Sequence, residues 1–536
     1  MEPLVSRNLL PSLSFARMLT MKWFTLYRPP TNRLISLLLA GLIFHPASAQ
    51  DDGPLIGDDY LTGDVPEWLE EVGFDDTHGD VPESSEVSEP AAGASEVGGT
   101  RTGANAKQKC NCLRCRDKLT GDWHGLRTIL KEEGIGYRGR VTQFFFGVGG
   151  GVNPPVPDLF SDLGIAGGDT FEYTGNSRHD FLLDMDKFGG LPHSKFLVTM
   201  ENLWGRWGNV SFETGALAPA VFNSVMPVDQ SASGSLYCTN FMLLQPLSEN
   251  FIVSVGKTRT IGIADNNKFA GGDGSDQFLN QSFVANPLMV PMIPLSTFVV
   301  GAAMPQDWGH IGVSVMDPTE RSTDFMELGS IYSRGAIIFS QVQVDTDFFS
   351  MPGEHHVGGF YKNSDQIDVT FTPLPPTYPY APAPPNFQSR SESYTLFYGF
   401  DQYLVTYGAP DARGNSEGWG VFGRASIADD ARGNPNWAAW FVSLGIGGNS
   451  PLPSRRGKGD RFGVGFGYTA ASSEFGAIPR ALFAPRDAQN IEMYYRYHIT
   501  PAIEFTPDVQ WINGMLGGLT GGDGAIVAGI RLNMKI

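Results

Sequence analysis

Four polar side chains lie close together in one stretch of this chain: Lys257, Arg259, Asp265 and Asn267. Arginine carries five donors in a fixed fork and lysine three, while aspartate and asparagine supply acceptors. Such a mixture can replace water around a hydroxyl-rich solute. It is poorly suited to covalent catalysis, which needs a nucleophile, a base and an orienting group gathered in space. No G-x-S-x-G nucleophile elbow and no H-E-x-x-H helix is expected among the nine histidines and many serines. Asp273-Gly274-Ser275-Asp276 lacks the ligand spacing and terminal Glu of a calcium loop. His355-His356 reads as the start of a strand rather than a metal pair. No cofactor, no metal and no catalytic residue is expected.

Three more charged residues, Glu492, Arg496 and Arg531, show what kind of element carries such groups. Ile491, Met493, Tyr495, Tyr497 and Ile499 alternate with Glu492, Tyr494, Arg496 and His498. Further on, Ile503, Phe505, Val509 and Trp511 oppose Glu504, Thr506, Asp508 and Gln510, and Ile526, Ala528, Ile530, Leu532 and Met534 oppose Gly529, Arg531, Asn533 and Lys535. Successive strand side chains point to opposite faces, so each run has an apolar and a polar face. Each run is about ten residues long, enough for a tilted strand to cross a bilayer. The expected fold is all-β, a transmembrane antiparallel barrel of about 16 strands, the even number usual for single-chain bacterial barrels. A short helix precedes it: Leu126, Ile129 and Leu130 share a helical face and Gly134 can serve as its C-cap.

Candidate strands fall near 137–148, 178–187, 194–206, 235–245, 250–258, 295–303, 310–316, 335–344, 355–362, 392–406, 418–427, 437–446, 461–470, 490–499, 503–512 and 525–536. Long connections alternate with short ones, as outer loops alternate with turns in outer-membrane barrels. The longest runs from Arg259 to Pro294 and holds Asp265 and Asn267. It either folds into the lumen and narrows it, or stays solvated outside. Lys257 and Arg259 share one parity, so both are expected to point inward together. On that reading, replacing Arg259 or Asp265 by Ala alters the pore and leaves stability nearly intact. A proline-rich run, Pro373 to Pro385, reads as a stiff polyproline-like loop.

The chain carries a net charge of −19, but unevenly. Residues 50–100 contain fifteen Asp or Glu and no Lys or Arg, residues 1–49 carry +4, and the remainder is only −8. Nothing resembles the clustered basic face of a nucleic-acid binder. Arg28 and Arg33 precede the apolar run Leu34 to Phe44 and then Ala47-Ser48-Ala49, the pattern of a cleaved export signal. Three domains result: 1–49, a signal peptide; 50–116, an acidic, disordered periplasmic arm; and 117–536, the barrel. Cys110, Cys112 and Cys115 cluster in the arm, with Cys238 far away. In an exported protein these favour a disulfide over a metal site, the pairing being open.

Leu119-Thr120-Gly121-Asp122-Trp123, Gly125-Leu126-Arg127 and Gly134-Ile135 resemble the opening of the carbohydrate-selective porins, the OprB-type family. The resemblance extends to Gly256-Lys257, Asp265, Asn267, Phe269-Ala270-Gly271 and Phe278-Leu279-Asn280, and to Pro507-Asp508-Val509-Gln510-Trp511-Ile512 with Gly529-Ile530-Arg531-Leu532. It covers residues 117–536. His124 stands where the family tends to have Gly, and the last residue, Ile536, is not aromatic. The resemblance implies an outer-membrane barrel passing mono- or oligosaccharides by diffusion. Its expected pore-lining residues are Lys257, Arg259, Asp265, Asn267, Glu492, Arg496 and Arg531. The expected partners are those sugars and outer-membrane lipid, with a homo-oligomer admitted and nucleic acid not. The alternatives are a structural or plugged barrel and an enzyme built on a barrel.

Overall fold

The computed structural model describes residues 116–154, 167–325, 327–367, 389–408, 416–430, 436–452 and 459–536. The signal segment, the acidic arm with its three cysteines and the proline-rich run lie outside the described residues. Among the described residues no helix is long and apolar enough to cross a membrane.

Sixteen strands close into one antiparallel barrel. They are β1 (Ile135–Gly149), β2 (Thr170–Asp184), β3 (Lys195–Gly205), β4 (Tyr237–Ser248), β5 (Phe251–Arg259), β6 (Ser296–Gln306), β7 (Gly309–Met316) and β8 (Ala336–Phe348). The second half comprises β9 (Met351–Ile367), β10 (Ser389–Thr406), β11 (Gly418–Ala428), β12 (Ala438–Asn449), β13 (Arg461–Ala471), β14 (Ala488–Thr500), β15 (Ile503–Asn513) and β16 (Ala525–Lys535). Each pairs with its sequence neighbours, and β1 pairs with β16 from Arg140↔Lys535 to Gly149↔Ile526, so no edge strand is left. The strand count and topology are those expected. The largest displacement is β2, which begins at Thr170 rather than near 178. Its first half, Thr-Phe-Glu-Tyr-Thr-Gly-Asn-Ser, carries only Phe171 and Tyr173 as an apolar row, opposite Thr174 and Asn176, which bond to inner segments of the barrel.

Alternation decides which way each side chain points. In β14 to β16, Glu492, Tyr494, Arg496, His498, Glu504, Asp508, Gln510, Arg531 and Asn533 are buried inside the barrel. Ile491, Met493, Tyr497, Val509, Ile526 and Ile530 are exposed on its outer wall. Water cannot satisfy charged groups in a bilayer, so the polar row faces the lumen and the apolar row faces lipid.

The two ends differ. At one end, Glu249-Asn250, Asp307-Trp308 and Phe349-Ser350 connect strands as tight turns. The opposite end carries the long connections, including the inner loop at 260–295. Helix α1 (Leu126–Glu132) sits at the short-turn end, with Gly134 just past it at φ +87°.

Candidate functional site: the inner loop and the arginine cluster

Inward-facing glycines make room for the inner loop. β13 reads Arg-Phe-Gly-Val-Gly-Phe-Gly-Tyr, with glycine at successive inward positions. A Cβ at Gly463 would stand 2.7 Å from the Phe278 ring, and one at Gly465 would stand 2.6 Å from Phe283. Both phenylalanines lie in the loop and pack with Phe269, Phe422 and Tyr494 into an apolar cluster inside the barrel. Ala264, Met289, Met292 and Ile293 form a second cluster with Val299, Met316, Ile337, Phe339, Phe360 and Phe397 of the wall. Helix α2 (Gln281–Val284) begins here, capped by the Asn280 side chain, which accepts from Ser282 N. The loop therefore folds inward.

Polar groups fasten the loop backbone to the wall. Asp265 meets Arg424 Nε at 2.9 Å and His356 Nε2 at 3.2 Å, and accepts from Asn286 N at 3.0 Å. Burial alone would push the Asp265 carboxyl up, but Arg424 and His356 hold it below the usual carboxylate range. Asn267 donates to Phe400 O at 2.8 Å and accepts from Phe269 N and Ala270 N, an Asx turn. Glu492 accepts from Leu279 N at 2.6 Å and Asn280 N at 2.8 Å. Arg531 donates to Gly274 O at 2.9 Å, and Asn533 donates to Ser275 O. Arg496 lies near the short-turn end of the wall, 3.7 Å from Glu504.

The charged centre lies where the loop meets β1, β2 and β5. Asp273 receives Arg140 at 2.6 Å, Arg178 at 3.2 Å and Arg259 at 3.4 Å on one carboxylate oxygen. Its other oxygen accepts from Ser275 N. Burial would raise the Asp273 carboxyl, but the three guanidinium groups hold it well below the ordinary value. Arg259 also reaches Glu201 at 2.7 Å, and Arg178 reaches Asp180 at 2.9 Å. Arg461, Asn240, Asn266, Asp276 and Gln277 join these groups around a cavity of about 60 Å³. Its walls hold four arginines against two aspartates, a cationic balance with donors in excess.

The expected site residues thus separate by role. Arg259 lines the charged cavity. Asp265, Asn267, Glu492 and Arg531 are spent on holding the loop. Lys257 stands apart, and the shared parity expected to turn it into the lumen with Arg259 does not do so. It pairs in register with Phe241 and Phe298, on the row of Val255, which is 47% exposed on the outer wall. The 317–335 connection folds over this spot, and the Lys257 ammonium donates to Cys238 O and Asp324 O. Arg259, last in β5, escapes that row because the strand ends there.

Arg140, Arg178, Arg461 and Asp273 were not among the expected residues. The arginines carried a signal: each sits within an alternating strand, where a charge belongs on the lumen row. Asp273 carried none, since only the folded loop brings it to the arginines. One sequence expectation needs correcting. The G-x-S-x-G spacing does occur, at residues 414–418. The spacing falls between β10 and β11, not between a strand and a helix as an elbow requires, and its first two residues, Gly414 and Asn415, lie outside the described residues. Among the described residues no cluster of metal-ligating side chains occurs.

A closed sixteen-strand barrel with an inward-folded loop and a charged lumen has the architecture of an outer-membrane porin. The chain belongs to the carbohydrate-selective porin family, OprB, whose model matches residues 169–535. The opening motif at 119–135 precedes that span. The high-pH structure of Pseudomonas putida OprB is similar, with a TM-score of 0.64 at 19% identity over 80% of this chain and 100% of that one. The low-pH structure of the same protein gives a TM-score of 0.45 at 14% identity, over 79% and 99% of the two chains. No curated protein matches the sequence.

Proposed function

We propose that the barrel passes sugars by passive diffusion, and that the arginine-rich cavity beside the inner loop is the step at which they are selected. The carrying observation is the convergence of Arg140, Arg178 and Arg259 on Asp273, beside a loop fastened on several sides. Guanidinium forks and amide side chains offer donors to hydroxyl oxygens, while Asp276 and Gln277 offer acceptors. Each contact is weak enough to exchange for the next, which transport requires. The long-loop end faces the exterior and the short-turn end the periplasm, where the acidic arm would follow a cleaved leader.

Planar-bilayer recording tests this reading. Glucose or a glucose oligomer should block ion current reversibly, and Arg178→Ala or Arg259→Ala should weaken that block. Sugar block unchanged in both variants removes the cluster from the sugar path. The small cavity supports a second reading, a plugged barrel, and a conductance no greater than that of the bare bilayer would favour it.

A further inference from the structure

Helix α1 is turned the wrong way round for a helix that packs only on protein. Successive helical residues rotate by about 100°, so Leu126, Ile129 and Leu130 form one face while Arg127 and Lys131 lie well round from it. The basic side meets the barrel. Arg127 lies 4.1 Å from the Trp123 ring centroid and 5.0 Å from that of Tyr137. It also donates to Tyr137 O at 3.5 Å and to Thr120 Oγ1 at 3.1 Å. The outer edge of the apolar side is left open among the described residues: Leu126 is 48% and Ile129 54% exposed, while Leu130 is half-buried.

Its position explains why. Tyr137 shares parity with Phe145, which is exposed on the outer wall, and its ring packs on Phe181 at 5.1 Å. The helix therefore lies against the outside of the barrel, at the level where β1 begins. Its end abuts the β2–β3 turn, since a Cβ at Gly134 would stand 2.8 Å from Lys187. That turn exposes Phe188 and Leu191. Leu126, Ile129, Phe188 and Leu191 thus continue the apolar outer wall around the short-turn rim, with Trp123 and Tyr137 at the level of an interfacial aromatic belt.

We propose that helix α1 is an interfacial membrane anchor, its Leu126–Ile129 face inserted at the headgroup boundary of the periplasmic leaflet. The occupant is a phospholipid surface, because the face is continuous with a wall that already meets lipid. A short helix with one apolar face lies in the plane of such a boundary. This would fix the entry of the arm beside the pore mouth: Leu119 N donates to Lys535 O at 2.7 Å, tying the segment before the helix to the end of β16.

The test uses the full chain with Cys110, Cys112, Cys115 and Cys238 changed to Ser. Single cysteines replace Leu126, Ile129 or Thr128, whose side chain points away from the apolar face, and each carries an environment-sensitive dye. In phosphatidylcholine–phosphatidylglycerol vesicles, dyes at 126 and 129 should shift to the blue. Lipids bearing a nitroxide near the headgroup should quench most of their emission, while the dye at 128 should emit as in water. Water-like emission at both 126 and 129 overturns the proposal. So does a blue shift indifferent to lipid quenchers: if deleting residues 51–109 abolishes it, the arm covers the face, and if dilution with lipid abolishes it, a second copy does. Two test positions guard against one variant failing to fold.

Discussion

At the scale of single residues, one carboxylate balances three guanidinium groups. Asp273→Asn removes one of the two acidic groups around the cavity. The channel should become several-fold more anion-preferring, read as the reversal potential in a potassium chloride gradient. Asp265 behaves otherwise. It is buried between Arg424 and His356, so the expectation that Asp265→Ala leaves stability intact does not survive the structure. Removing one partner of such a pair should destabilise by about 3–5 kcal/mol, read as a lower denaturant midpoint. Acid should act on the same groups. The carboxyls of Asp265 and Asp273 are depressed in the fold, so their contribution is complete above the unfolded value of about 3.9 and is lost as pH falls below it. Pepsin should cut within 260–295 only below about pH 4, and cutting that is equally fast at the upper limit of its activity would show that these carboxylates do not hold the loop. The sequence showed which residues carried charge and on which row. It did not show which of them were bound to each other, because that depends on where one long loop comes to rest.

Strands were the most legible elements. Period-two alternation is local, and a bilayer enforces it at every step, so β14 to β16 could be read residue by residue. β2 was harder, because the apolar row of its first half is only Phe171 and Tyr173 before Gly175 and Ser177 interrupt it. Ile530→Arg puts a charge on the lipid row and should cost about 2–4 kcal/mol near mid-depth. Ile530→Leu should change the unfolding midpoint little. Asn533→Arg, on the lumen row, is not innocuous, because Asn533 holds Ser275 O of the inner loop. The inner loop itself left a clear trace in the glycine spacing of β13, which makes sense only if something bulky presses on that row from inside. Helix α1 was legible as a helix, but not its orientation. Its apolar face was visible in the sequence, and only the fold shows the Leu126–Ile129 edge of that face turned away from the barrel.

At the scale of the whole molecule, closure depends on β1 meeting β16, and every residue of that pairing lies within 140–149 and 526–535. Deleting residues 51–109 should therefore leave a closed barrel. The measurement is the heat-resistant fast-migrating form on gels, and its loss in the truncated chain would make the arm structural. Charge was also legible only at this scale. A net −19 suggests an acidic channel, but the acid sits in the arm while the cavity inside the barrel is lined by four arginines and two aspartates.

The fastening of the inner loop carries a consequence for electrical noise. Motions of free loops run from nanoseconds to microseconds, and collective rearrangements from microseconds to milliseconds. A loop pinned through Asp265, Asn267, Glu492, Arg424 and Arg531 has few slow excursions available to it. The power spectrum of an open channel should then be nearly flat across audio frequencies. A channel lacking one pin should show a low-frequency shoulder instead, whose corner reports how often the loop lets go.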